Sequence, residues 1–234
     1  MPENRIDNIV FDLGGVLVDW DPKYLYNKVF NNDEKRINSF LSEVCTPDWN
    51  VEQDAGRSLA EATQILIDRF PEQEDHIRLF YDRWEEMIRG SVGGTVSLLE
   101  ELKRRDAHNL YALTNWSAET FPVALERFDF LGHFQGIVVS GEEKTRKPFP
   151  RIYEILFDRY NLDPGTSRTI PVVVGGHDDL QEELAAPTTT IEVAPRANEL
   201  VQIIRSSQIP VADGRLRLQI LNEEFIRAGA GQVR

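Results

Sequence analysis

The spacing of apolar positions changes character twice along the chain. Ile6, Ile9, Val10 and Phe11 crowd into a short run that Gly14-Gly15 stops, which predicts a buried strand over 6–12. From about residue 20 to 90 the spacing becomes helical. Ser58-Leu59-Ala60-Glu61 has the form of a capping box, and Leu59, Ala62, Leu66 and Phe70 follow along one helix face. Ile77, Phe80, Tyr81, Trp84 and Met87 mark another such face. This aromatic stripe, at helical spacing, reads as core rather than as a ligand cage. Trp20, Trp49 and Trp84, three of the four tryptophans, lie in this block.

Beyond Thr95 helices and strands alternate. Val96, Leu99 and Leu102 predict a helix, Asn109 to Thr114 a strand, and Ser117 a cap for the next helix. Gly136 to Ser140 predicts a strand, and Ile152, Leu156, Phe157 and Tyr160 a helix that starts after Pro148 and Pro150. Pro171 to Val174 and Thr188 to Val193 predict two more strands, and 178–186 and 197–206 two helices. Short β-branched strands alternating with helices imply an α/β fold: a Rossmann-like, doubly wound parallel sheet interrupted after its first strand by an all-helical insert. The expected division is a core of residues 1–19 and 91–206, an insert over 20–90, and an extension over 207–234. In the extension Leu216, Leu218 and Ile220 alternate like a strand, while Leu218, Leu221 and Phe225 suit a helix.

Composition narrows the possibilities. With 234 residues, 41% of them hydrophobic and 28% charged, the chain can bury a core. The net charge of −13 repels polyanions, so neither nucleic acid nor an anionic membrane is expected as a partner. A small anionic substrate needs only a local cluster of donors. The single cysteine, Cys45, excludes an internal disulfide and a cysteine-rich zinc site and suits a reducing cytoplasm. No apolar run approaches the roughly 20 residues that span a bilayer. A cytoplasmic monomer or homodimer is the expectation.

In an open parallel sheet, ligands gather at the carboxyl ends of the strands. Asp12 ends the first strand there. Gly14 and Gly15 after it permit a tight turn and close approach by substrate. A carboxylate nucleophile must stay ionised, and Lys147 is the candidate ammonium to keep it so. The Thr114 hydroxyl and the backbone around Asn115 can donate to an oxyanion.

Phe11-Asp12-Leu13-Gly14-Gly15-Val16-Leu17-Val18-Asp19-Trp20 resembles the first motif of the haloacid dehalogenase (HAD) superfamily. Leu113-Thr114-Asn115-Trp116-Ser117 resembles its second motif, and Lys147-Pro148-Phe149-Pro150-Arg151-Ile152-Tyr153 its third. The insert, with Trp49 to Asp54 and Arg57-Ser58, resembles the helical cap of the HAD-like hydrolase and phosphatase subgroup. The resemblance runs from about residue 6 to 168. It implies a Rossmannoid core with a mobile cap, attack by Asp12 to form an aspartyl intermediate, Thr114 and Asn115 around the transferring group, and Lys147 paired with Asp12. It also implies Mg2+ held by the Asp12 carboxylate, the Gly14 carbonyl and acids of a fourth motif.

Two departures from that pattern bear on function. The acid that phosphatases of this kind carry two residues after the nucleophile is Gly14 here. Where two adjacent acids are expected after the fourth core strand, Val174 runs into Gly175-Gly176-His177-Asp178-Asp179. Asp178 and Asp179 either supply a displaced metal site or merely start a helix, where acids are ordinary. His177 is a further candidate ligand or acid–base. Three readings compete: a phosphatase for a small phosphate monoester with a degenerate fourth motif, a metal-independent hydrolase of the 2-haloacid dehalogenase kind, and a catalytically impaired binding or regulatory module. The first is preferred, because Asp12, Thr114 and Lys147 are all retained. Asp19, Trp20 and Asp21 could line the entrance under the cap, although the two acids suit the start of the insert better.

Overall fold

The computed structural model describes residues 8–162 and two later strands, Ile170–Val173 and Arg217–Leu218. The predicted strand over 188–193, the helices over 178–186 and 197–206, and Gly175 through Asp179 lie outside the described residues. The sheet strands are β1 (Asn8–Phe11), β4 (Asn109–Thr114), β5 (Gly136–Val139), β6 (Ile170–Val173) and β7 (Arg217–Leu218), in the order β5-β4-β1-β6-β7. The first four are parallel, with Phe11 opposite Ala112 and Val172, and Thr114 opposite Val139. β7 pairs antiparallel with β6, so Arg217–Leu218 of the ambiguous stretch is a strand and, among the described residues, the sheet is mixed.

Successive side chains of β1 and β4 enter opposite layers. Ile9, Phe11, Leu110 and Ala112 join the larger cluster with Leu98, Leu99 and Leu102 of α6 (Gly93–Arg105). Val10, Tyr111 and Leu113 join the smaller one with Ile152, Tyr153, Leu156 and Phe157 of α9 (Pro150–Tyr160). Both faces are covered, which is why the strands read as unbroken apolar runs. The chain steps from β1 to β4 and β5 on one side, then back to β6 on the other. The carboxyl end of β1 is therefore the point at which the winding reverses, and a crevice opens there.

The insert is entered and left through a two-stranded antiparallel ribbon, β2 (Val18–Trp20) with β3 (Ile88–Ser91). Between them run α1 (Lys23–Val29), α2 (Glu34–Glu43), α3 (Pro47–Asp54), α4 (Leu59–Arg69) and α5 (Glu74–Asp82). Local chemistry sets their starts. Asp33, Thr46 and Ser58 accept hydrogen bonds from the backbone N–H groups of Arg36, Trp49 and Glu61, and Pro47 opens α3. The aromatic stripe is core. Phe80 is 1% exposed and meets Trp49 edge-on at 5.0 Å, while Tyr26 lies 4.8 Å from Phe40. Cys45 is buried in the same cluster, and burial pushes its thiol well above the ordinary range.

Several expected boundaries shift. Trp84 and Met87 share the buried face of Ile77 and Phe80, but α5 ends at Asp82 and a 3-10 turn, Trp84–Met87, carries them. Ser117 does not cap the next helix. Its hydroxyl accepts from the Glu119 N–H at 3.3 Å and tightens the turn, while α7 (Phe121–Arg127) begins later without a side-chain cap. β5 ends at Val139, and Ser140 opens the short helix α8 (Ser140–Glu143). Asp19 accepts from the Tyr24 hydroxyl and Asp21 from the Lys23 N–H, so both acids shape the start of the insert. No helix among the described residues is long and apolar enough to cross a membrane.

The larger cluster runs unbroken from the insert to the sheet, so the two should unfold together. Phe80→Ala is expected to cost about 3–5 kcal/mol. Denaturant unfolding followed by tryptophan fluorescence and by far-ultraviolet circular dichroism should show one coincident, shifted transition. Loss of insert signal alone, with the sheet transition unmoved, would contradict the shared core.

Candidate active site

The end of β1 places Asp12, and the next six residues fold into a tight loop. The N–H groups of Val16, Leu17 and Val18 all point to the Leu13 carbonyl, at 3.2, 2.8 and 2.9 Å, and Gly15 N–H donates to Val18 O at 2.9 Å. Gly15 has φ +71°, a left-handed conformation that favours glycine. Gly14 and Gly15 are exposed, and a Cβ on Gly14 would meet nothing within 4 Å. The space beside Asp12 is therefore open.

Lys147, in the loop after α8, reaches this carboxylate. Its Nζ lies 2.6 Å from Asp12 Oδ2, and the two side chains are 22% and 23% exposed. Asp12 Oδ1 accepts from the Leu13 N–H at 2.8 Å. Both carboxylate oxygens are thus fixed by donors, one of them a cation. The Lys147 loop is anchored in turn by Asn115. The Asn115 amide accepts from Lys147 N–H at 2.8 Å and donates to Lys147 O at 3.2 Å, and the Lys147–Pro148 peptide is cis. The side chain of Asn115 therefore holds the lysine loop.

Thr114, at the end of β4, is fully buried, and its hydroxyl makes one long contact, 3.5 Å to Asn115 O. The loop after it is clamped onto α8. Trp116 N–H donates to Ser140 Oγ at 2.9 Å, and Gly141 N–H donates to Trp116 O at 3.1 Å. A side chain at Gly141 would collide with the backbone of Trp116 and Ala118, so this approach needs glycine.

The insert contributes a carboxylate that sequence reasoning missed. Asp54 ends α3 and is half-buried. Burial pushes its pKa up to about 7. The Arg146 and Lys147 cations oppose the shift, Asp12 adds to it, and a backbone hydrogen bond from Ser117 opposes it. Asp54 thus shares a charge environment with Asp12 and Lys147. The next turn is pressed against the core: Gly56 has φ +98°, and a Cβ there would come within 3.2 Å of Gly141 O. Behind it Gln53 is buried, donating to the Tyr81 hydroxyl and accepting from Arg57 Nε, while Arg57 also donates to Trp49 O. Arg57 is therefore a strut of the insert. The signal for Asp54 in the sequence was only its place in the Trp49–Asp54 segment; Ser140 and Gly141, just after a strand, carried no motif.

A magnesium ion would find oxygen donors at Asp12 and the Gly14 carbonyl. Among the described residues, however, no three His, Cys, Asp or Glu side chains gather into a metal-binding group. The described residues do not by themselves complete a magnesium site, and Asp178 and Asp179 fall outside them.

Residues 6–170 match the haloacid dehalogenase-like hydrolase family. The chain belongs to that family. Among solved structures it is similar to a HAD family enzyme of Bacteroides thetaiotaomicron, with 20% identity over 84% of this chain and 98% of that one and a TM-score of 0.53. A HAD-like family hydrolase of Porphyromonas gingivalis shares 17% identity over 84% and 98%, with a TM-score of 0.54. YfnB of Bacillus subtilis, named as a HAD-hydrolase and bound to magnesium, shares 14% identity over 86% and 99%, with a TM-score of 0.55. At such identities these likenesses concern the fold. No curated protein matches the chain significantly.

The raised pKa of Asp54 has a consequence for stability. Between the ordinary aspartate value of 3.8 and about 7, the folded protein holds a proton that the unfolded chain releases. Stability from this group is therefore full at the acid end and falls as pH rises through that window. Asp54→Asn removes the penalty. Its Tm should match the parent near pH 4 and exceed it progressively toward pH 8, as read by calorimetry across that range. A variant less stable than the parent at alkaline pH would contradict the assignment.

Proposed function

We propose that this HAD-like hydrolase is a phosphatase for small phosphate monoesters, acting through an aspartyl-phosphate on Asp12. The observation that carries the reading is the Lys147 ammonium 2.6 Å from a carboxylate at the winding reversal of the sheet. The ammonium balances the charge of the Asp12 carboxylate and is placed to meet phosphoryl oxygens. Asp12 attacks phosphorus, the ester oxygen leaves, and water then attacks the phosphoryl-enzyme. Thr114 is the second donor for the phosphoryl oxygens, and Asn115 acts through the lysine loop it fixes. In a chain of net charge −13, Arg146 and Lys147 form a local positive station that draws a small anion to the crevice. Residues 20–90 serve as a cap over the crevice, seated on the core by the Trp84–Trp116 contact and by Arg127 donating to the Ile88 and Glu85 carbonyls.

Magnesium, when bound, would neutralise phosphate charge, with Asp12 and the Gly14 carbonyl as its two donors from this part of the chain. Because Gly175 and Gly176 stand where acids are expected, binding of the ion alone should be weak. Calorimetry of the phosphate-free protein is expected to show no low-micromolar Mg2+ site. Tight binding that Asp178→Ala or Asp179→Ala abolishes would reverse that expectation and locate the missing ligands.

Asp12→Asn should abolish release of nitrophenolate from p-nitrophenyl phosphate, and Lys147→Met should leave only a small residue of it. Both proteins should remain folded by circular dichroism. Equal turnover by the parent and Asp12→Asn would end the proposal. Halide release from a 2-haloacid with no turnover of phosphate esters would assign the same Asp12–Lys147 pair to carbon–halogen cleavage instead.

A further inference from the structure

The start of helix α4 is capped from two places. The first N–H groups of any helix have no partner within it. From inside the insert, the Ser58 hydroxyl accepts the Glu61 N–H at 3.2 Å. The Leu59 N–H, the first of the helix, is taken from outside the insert. Glu119, in the loop that follows β4, accepts it at 2.8 Å. A carboxylate at that end also opposes the partial positive charge of the helix.

This bond fastens the elbow between α3 and α4, residues 55–58, to both loops that build the site. On one side the elbow rests on α8. A Cβ at Gly56 would come within 3.0 Å of Lys144 Cγ and 3.2 Å of Gly141 O, and the chain runs directly from Lys144 to Lys147. On the other side Glu119 leads back to Asn115 through a braced turn. The Glu119 N–H donates to Ser117 Oγ at 3.3 Å, Trp116 Nε1 donates to Thr120 Oγ1 at 3.1 Å, and Trp116 N–H donates to Ser140 Oγ at 2.9 Å. Asn115, at the head of that turn, holds the Lys147 backbone.

We propose that Glu119 is a positioning residue for the reaction: by capping α4 from the core it clamps the elbow of the insert across both loops and so steadies Lys147 against Asp12. The inference rests on the phosphatase reading above. Glu119 is exposed and acts through the segments it joins. Its bond exchanges with water, so it biases the clamped arrangement by about twofold to tenfold and does not lock it. Gly56 and Ser58 are exposed as well, so the elbow can lift without separating the core that the insert shares with the sheet.

Two caps on one helix provide an internal control. The parent, Glu119→Ala, Glu119→Gln and Ser58→Ala are compared by calorimetry, by amide exchange of Leu59 in nuclear magnetic resonance, and by turnover of p-nitrophenyl phosphate with excess magnesium. Ser58→Ala and Glu119→Ala each remove one cap from α4, so both should lower Tm. Only Glu119→Ala should speed exchange of the Leu59 amide and lower kcat, each by about 2- to 10-fold, with KM little changed. Glu119→Gln keeps a side-chain oxygen for the Leu59 N–H and should recover most of both. Unchanged Leu59 exchange or unchanged kcat in Glu119→Ala would overturn the role of Glu119. So would an equal fall in kcat for Ser58→Ala, which would reduce the contact to a helix cap. These outcomes leave Asp12 as nucleophile. A parent with no turnover of the ester would remove the phosphatase reading, and this role with it.

Discussion

Everything at the site depends on one ion pair formed across the sheet. Asp12 leaves β1 and Lys147 follows β5, and only the parallel pairing of β1, β4 and β5 brings their carboxyl ends to one edge. The 2.6 Å contact then satisfies both partners in a half-buried setting where either charge alone would be costly. Coulomb attraction does not place the lysine unaided. The two hydrogen bonds between Asn115 and the Lys147 backbone hold the loop, so the pair forms without ordering a long free segment. The loop after β4 thus fixes the loop after β5, and both converge on β1.

A second constraint is steric. Ser140 and Gly141 receive the Trp116 backbone at hydrogen-bond distance, and Gly56 of the insert rests on the same two turns of chain around Gly141 and Lys144. Three segments remote in sequence share a small volume, and two of them are glycine there. Side chains at these points would separate α3 from the β4 loop by about the width of a methyl group. The seating of α3 against α8, and of α8 against the β4 loop, thus depends on glycine at both points.

Much of this could be read from the residues. Asp12, Thr114 and Lys147 each follow a strand, and strand ends are visible because apolar runs stop there. The helical insert was visible because its period differs from that of the strands flanking it. What escaped notice lacks a local signature. Asp54 is one of many acids in a chain of net charge −13, and nothing nearby marks it as facing inward. Its environment is made by Ser117, Arg146 and Lys147, which are adjacent only after folding. Ser117 reads as a helix cap, and hydroxyls before helices are caps, but here the turn it stabilises precedes α7 by several residues. The strand at Arg217–Leu218 was ambiguous because alternation and helical spacing overlap in a run that short.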